Sequence, residues 1–177
     1  MSIVGWTRFW LEKDKPYYTE STGFLANPKG FSGSLWNAHL KAMEDLDQCS
    51  CLILLGEPGM GKTTEMKRYR RKLESSGEGV VWIDNQLSLE NLASDLRDSG
   101  HDLDRNVTVL VDSLDEYSCG IVQSVKVIRD CIINAVKHSR EVSFILACRT
   151  GDWSDILVGI LSEAYDKLNG AHDREIG

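Results

Sequence analysis

Four short apolar runs punctuate the chain, and between them apolar residues recur every three or four positions. The runs are Cys51-Leu52-Ile53-Leu54-Leu55, Val80-Val81-Trp82-Ile83-Asp84, Val107-Thr108-Val109-Leu110-Val111 and Val142-Ser143-Phe144-Ile145-Leu146-Ala147. The first, third and fourth are apolar almost throughout, as strands buried on both faces must be. After the first run, Thr64 to Leu73 sets Met66, Tyr69 and Leu73 on one helical face, and Ser75 to Gly79 reads as a turn. Ser88 is placed to cap a helix carrying Leu89, Leu92 and Leu96, ending near Ser99-Gly100. Ile121, Val125, Ile128 and Ile132 mark another helix, Ile121 to Val136. A last stripe runs through Trp153, Ile156, Leu157, Ile160, Leu161, Ala164 and Leu168. Strands alternating with helices predict an α/β fold: right-handed crossovers and a mostly parallel sheet with helices on both faces, in three layers.

The first 48 residues break this rhythm. Trp6, Phe9, Trp10, Tyr17, Tyr18, Phe24, Phe31 and Trp36 crowd there, well above the chain's 8% aromatic average. Gly23, Pro28, Gly30 and Gly33 divide the segment into turns, and Ser34 is expected to cap a helix carrying Leu35, Ala38, Ala42, Met43 and Leu46. The segment reads equally as an adenine pocket or docking arm, or as an aromatic lead-in packed on the sheet. At 177 residues the chain suits one domain with a real core, too short for two ordinary ones. The expected organisation is a lead-in over 1–48 and a core over 49–177.

The net charge of −7 argues against a surface that embraces nucleic acid on all sides. The local exception is Lys67-Arg68-Tyr69-Arg70-Arg71-Lys72, either a patch for an acidic partner or the solvated face of a helix whose winding scatters the charges. No apolar stretch approaches the roughly 20 residues of a membrane span. The first residues lack the features of a signal peptide. The five cysteines lack paired zinc spacings. A reducing cytosol is the expected home.

Chemistry enters where the first apolar run stops. Gly56 to Thr63 reads G-E-P-G-M-G-K-T, a complete G-x-x-x-x-G-K-[ST] loop between a strand and a helix. Glycines there let backbone N–H groups wrap a phosphate chain at the positive end of the helix. The candidate nucleotide-binding residues are Gly56, Glu57, Pro58, Gly59, Met60, Gly61, Lys62, Thr63 and Thr64. Lys62 would reach the β- and γ-phosphates, and the Thr63 hydroxyl would ligate Mg²⁺. Asp112 ends the third run, 50 residues beyond Lys62, and would hold Mg²⁺ opposite Thr63. Glu116 is placed to orient an attacking water and take its proton, and Asp115 to help position that water or the metal. Arg149, after the fourth run, could report the γ-phosphate or stabilise the transition state; the plainer reading pairs it with Asp152 or Asp155. The guanine signature N-K-x-D is absent, which favours adenine: ATP or ADP.

These motifs resemble those of the signal-transduction ATPases with numerous domains, especially their NACHT-type branch. The resemblance rests on G-E-P-G-M-G-K-T-T at Gly56 to Thr64, D-S-L-D-E at Asp112 to Glu116 and A-C-R-T at Ala147 to Thr150. It implies a P-loop NTPase of the ASCE type with strand order 2-3-4-1-5. It also implies a nucleotide-controlled switch in which ADP holds a closed monomer, and ATP with a protein trigger favours a homo-oligomer. Many microbial members serve in antiviral defence. The chain is expected to be incomplete at the fifth strand, leaving the Cys51 to Leu55 edge to be covered by the aromatic N-terminal segment or by a second copy. The alternatives are a nucleic-acid motor of the AAA+ type, a small-molecule kinase, and a nucleotide-binding module without catalysis.

Overall fold

In the computed structural model, which describes residues 8–13, 15–19, 25–46, 49–98, 107–137 and 142–172, the four apolar runs become the strands of one parallel sheet. Trp6, Phe24, the Ser99-Gly100 helix end and the Leu168 side chain lie outside the described residues. The chain divides into two compact units, Met1–Cys49 and Ser50–Gly177.

In the first unit a two-residue strand β1 (Trp10–Leu11) pairs antiparallel with β2 (Leu40–Lys41), and between them lies the short helix α1 (Phe31–Trp36). The long helix expected after Ser34 does not form. Ser34 sits inside α1, its hydroxyl donating to the Phe31 carbonyl, and the helix stops at Asn37. The cause is tertiary. Asn37 is buried, its amide donating to the Tyr18 and Ala26 carbonyls at 2.9 Å each while its Oδ1 accepts the Tyr18 N–H at 2.8 Å. Those bonds hold Asn37 out of helical geometry, and the chain continues as β2 and a 3₁₀ turn, Met43–Leu46. Leu40, Ala42 and Met43 are buried from these elements, not from a helical face.

Gly33 is needed there for close approach. A Cβ would stand 1.8 Å from the Asn27 carbonyl oxygen and 2.8 Å from the Pro28 nitrogen. Gly33→Ala must therefore displace backbone, and is expected to cost about 1–3 kcal/mol in urea unfolding. An unchanged midpoint would contradict this close packing.

The second unit runs β3 (Cys51–Leu55), α2 (Lys62–Ser76), β4 (Gly79–Ile83), α3 (Gln86–Asp98), β5 (Val107–Val111), α4 (Ile121–Lys137), β6 (Val142–Cys148) and α5 (Asp155–His172). The spatial order is β3-β6-β5-β4, every pair parallel, the order 2-3-4-1 for these four runs. The β3-to-β4 connection crosses the sheet in one direction, and the next two return in the other. Right-handed crossovers therefore put α2 on one face and α3 and α4 on the opposite face. Strand alternation agrees. Val109, Val111, Phe144, Leu146 and Cys148 join α3, α4 and α5 in the main core, while Leu54, Leu110, Ile145 and Ala147 are buried in alternate register. Met66, Tyr69 and Leu73 are the buried stripe of α2.

One cap differs from expectation. Asn85, not Ser88, caps α3: its Oδ1 accepts the Ser88 N–H at 2.9 Å, and the Ser88 hydroxyl also donates to it. Among the described residues β3 forms one edge of the sheet, and no helix is long and apolar enough to cross a membrane.

Candidate nucleotide site

The loop between β3 and α2 turns because Gly59 and Gly61 adopt φ of +80° and +84°, a left-handed region costly for side-chain-bearing residues. Gly61 is the residue before the helix, and its carbonyl accepts the Glu65 N–H at 3.0 Å, so α2 starts with Lys62. The Lys62 ammonium folds back over the loop, donating to the Gly56 carbonyl and, at 3.2 Å, to the Glu57 carbonyl. Glu57, Pro58, Gly59 and Met60 form an exposed crown, with Thr64 exposed in the first helical turn.

Thr63 faces the sheet. Its hydroxyl donates to Asp112 Oδ1 at 3.0 Å, joining two motifs 49 residues apart. Asp112 follows β5 directly and is only 5% exposed. Its N–H donates to the Ile83 carbonyl at 2.8 Å. The Tyr117 hydroxyl donates to the Asp112 carbonyl at 2.9 Å and approaches that of Ile83 at 3.3 Å. Burial, and then the negative charge of Asp112, push the Tyr117 phenol well above its ordinary range, so it stays a donor. Sequence reasoning missed Tyr117; its one signal was a hydroxyl-bearing aromatic immediately after the acidic pair.

Beyond Asp112 the backbone reverses through Ser113, which holds φ +52° without being glycine. Such a residue costs on the order of 1–3 kcal/mol and persists where its surroundings fix it. Here Leu114, fully buried, anchors the 3₁₀ turn Leu114–Glu116, and the Glu116 N–H closes onto the Ser113 carbonyl at 2.9 Å. The turn sends its two carboxylates to different environments: the Asp115 side chain is 5% exposed and that of Glu116 58%.

Arg149 joins them. Leu55 lies opposite Cys148, so Gly56 and Arg149 leave the sheet at the same level, from neighbouring strands. Arg149 Nε lies 2.9 Å from Asp115 Oδ2, a terminal guanidinium nitrogen lies 3.0 Å from Glu116 Oε1, and the Arg149 N–H donates to Asp115 Oδ1 at 3.1 Å. Its hydrogen-bonded partners are thus Asp115 and Glu116, and Asp152 adds a smaller electrostatic contribution. The hydrogen bond to Glu116, then the charge of Asp115, raise the guanidinium pKa further, keeping Arg149 cationic. Burial and the adjacent Asp115 push the Cys148 thiol up to about 12, so it is no nucleophile at neutral pH.

Lys67, Arg68, Arg70 and Lys72 of the basic run on α2 are engaged within the unit. Lys67 and Arg70 each lie 5.8 Å from the Trp82 ring centre, and Lys72 lies 5.5 Å from that of Tyr69. Arg68 pairs with Glu65 and Arg70 with Glu74.

A parallel sheet whose edge strand runs through such a loop into a helix, with the loop threonine bonded to an acidic strand end, is the core of a P-loop NTPase. Within that class the chain belongs to the family described as Novel STAND NTPase 5, whose model matches residues 33–158, from α1 into the first turn of α5. It is accordingly a nucleotide-binding NTPase module. None of the curated proteins matches it.

Proposed function

We propose that the chain binds ATP with Mg²⁺, hydrolyses it slowly and serves as the nucleotide-controlled switch of a signalling or defence protein of the NACHT-like kind. The observation that carries the chemistry is the 3.0 Å contact between Thr63 Oγ1 and Asp112 Oδ1. Both are hard oxygen donors of the kind Mg²⁺ takes, so this pair would hold the ion, Thr63 by its hydroxyl and Asp112 through a bound water. When bound, the ion neutralises charge on the phosphate oxygens. The chain's own groups supply the rest. The Lys62 ammonium, at the loop mouth, turns from its two carbonyl partners to the β- and γ-phosphates. The Glu116 carboxylate accepts a proton from the water that attacks the γ-phosphorus as the bond to the ADP oxygen breaks. Arg149 has five N–H donors, enough to contact a γ-phosphate while keeping its carboxylate partners.

ADP and ATP would then differ in what they offer Arg149, which is how the site would act as a switch between a closed monomer and a triggered oligomer. The engagement of Lys67, Arg68 and Arg70 by Trp82, Glu65 and Glu74 supports this reading over a nucleic-acid motor. The test is phosphate release from ATP by the purified chain, in Mg²⁺ and in EDTA; hydrolysis indifferent to Mg²⁺ would sink the proposal. Asp112→Asn keeps an acceptor for Thr63 but removes the charge. It is expected to weaken the Mg²⁺-dependent part of ATP binding about 10–100-fold, while binding in EDTA is unchanged. An undiminished Mg²⁺ effect would remove Asp112 from the site.

A further inference from the structure

The two carboxylates of the turn after β5 are not equivalent. Glu116 is exposed and meets Arg149 at one guanidinium nitrogen. Asp115 is buried, and each of its oxygens is taken by Arg149: Oδ1 by the backbone N–H and Oδ2 by Nε. The charge of Asp115 also helps to keep the neighbouring Cys148 thiol protonated. With both oxygens engaged by Arg149 and the side chain 5% exposed, this carboxylate is turned to the guanidinium rather than to solvent. It pins that guanidinium, from which the remaining N–H groups fan out in a fixed plane.

Resting on the reading of this site as an ATP-hydrolysing one, we propose that Asp115 is a positioning residue acting only through Arg149: it fixes the guanidinium plane so that one edge holds Glu116 and the rest faces the γ-phosphate. Asp115 therefore contacts neither substrate nor metal. Its removal leaves Lys62, Thr63 and Asp112 intact, so ATP still binds. What is lost is the orientation of Arg149, and with it turnover and discrimination of ATP from ADP. Asn is the informative replacement. The backbone N–H and Nε go to separate oxygens of Asp115, and in Asn one of these becomes an NH₂ that turns a donor towards a donor, so the two contacts cannot both persist in place.

The experiment compares wild type, D115N, R149A and the double variant, measuring kcat for ATP and the ratio of ATP to ADP affinity. Loss of one preorganised donor group typically costs about 10²–10³ in kcat, and R149A is expected in that range. D115N should fall short of it, at roughly 10–100-fold, with the ATP preference over ADP reduced, and the double variant should equal R149A. If D115N multiplies the loss on top of R149A, Asp115 has a direct role and the proposal fails. A second readout does not depend on catalysis: the Arg149 Nε–H resonance in ¹⁵N spectra should exchange slowly with solvent in wild type and in E116Q, and rapidly in D115N. Slow exchange retained in D115N overturns the proposal even if the chain proves not to hydrolyse ATP. Should D115N fold poorly, R149K serves instead: it keeps the charge but not the planar fork, and is expected to lose turnover as D115N would. Wild-type kcat in R149K would equally overturn the assignment.

Discussion

Glu116→Gln is expected to slow ATP turnover about 10²–10⁴-fold, the usual effect of losing a positioned base, while leaving ATP binding near its wild-type level. The reason lies in where the turn sends its side chains. Glu116 is the exposed member of the acidic pair, held at one oxygen by Arg149. Its other oxygen can take a proton from water. Glutamine preserves size and one acceptor, so the contact with Arg149 survives, but it cannot act as a base at neutral pH. Single-turnover phosphate release, alongside competition with a fluorescent nucleotide, separates the two effects. If Glu116→Gln turns over normally and Asp115→Asn does not, the roles of the two carboxylates are reversed.

Lys62→Ala is expected to abolish tight triphosphate binding. The ammonium now engages two loop carbonyls, Gly56 and Glu57. In the nucleotide complex it would make charge-assisted hydrogen bonds to two phosphates, each contributing ~1.5–3 kcal/mol, so affinity falls about 10²-fold or more. The fold should survive, because Lys62 is the first residue of α2 and alanine is the best helix former. A thermal midpoint close to wild type, together with lost binding of the fluorescent nucleotide, is the expected pair of results. Undiminished affinity would place the phosphates elsewhere.

The sheet was legible in the sequence because parallel strands buried on both faces must be apolar in nearly every position. Hence Val107–Val111 and Val142–Cys148 appear as runs, and the half-buried edge strand Cys51–Leu55 is apolar as well. The phosphate loop was legible because its turn depends on glycine at fixed spacing, and Gly59 and Gly61 hold the positive φ angles. The first unit was misread where local and distant forces compete. Leu35, Ala38, Ala42, Met43 and Leu46 satisfy helical periodicity, yet Asn37 is claimed by Tyr18 and Ala26, 19 and 11 residues away. No periodicity records such bonds.

The same limit applies to Arg149. Its near neighbours Asp152 and Asp155 looked like partners, but the sheet register brings Asp115 and Glu116 to it, 34 and 33 residues upstream. Ser113 and Tyr117 were invisible for a different reason. One matters through a backbone angle, which residue type does not record, and the other through a hydroxyl that ties β4 to β5, for which a tyrosine after the acidic pair is the one hint.

Calorimetric titration of the intact chain with ATP, once in Mg²⁺ and once in EDTA, tests the central claim most directly. The arrangement of Lys62, Thr63 and Asp112 predicts a single saturable site per chain, tighter in Mg²⁺. No saturable binding in either condition, or binding that Mg²⁺ leaves unchanged, would contradict it.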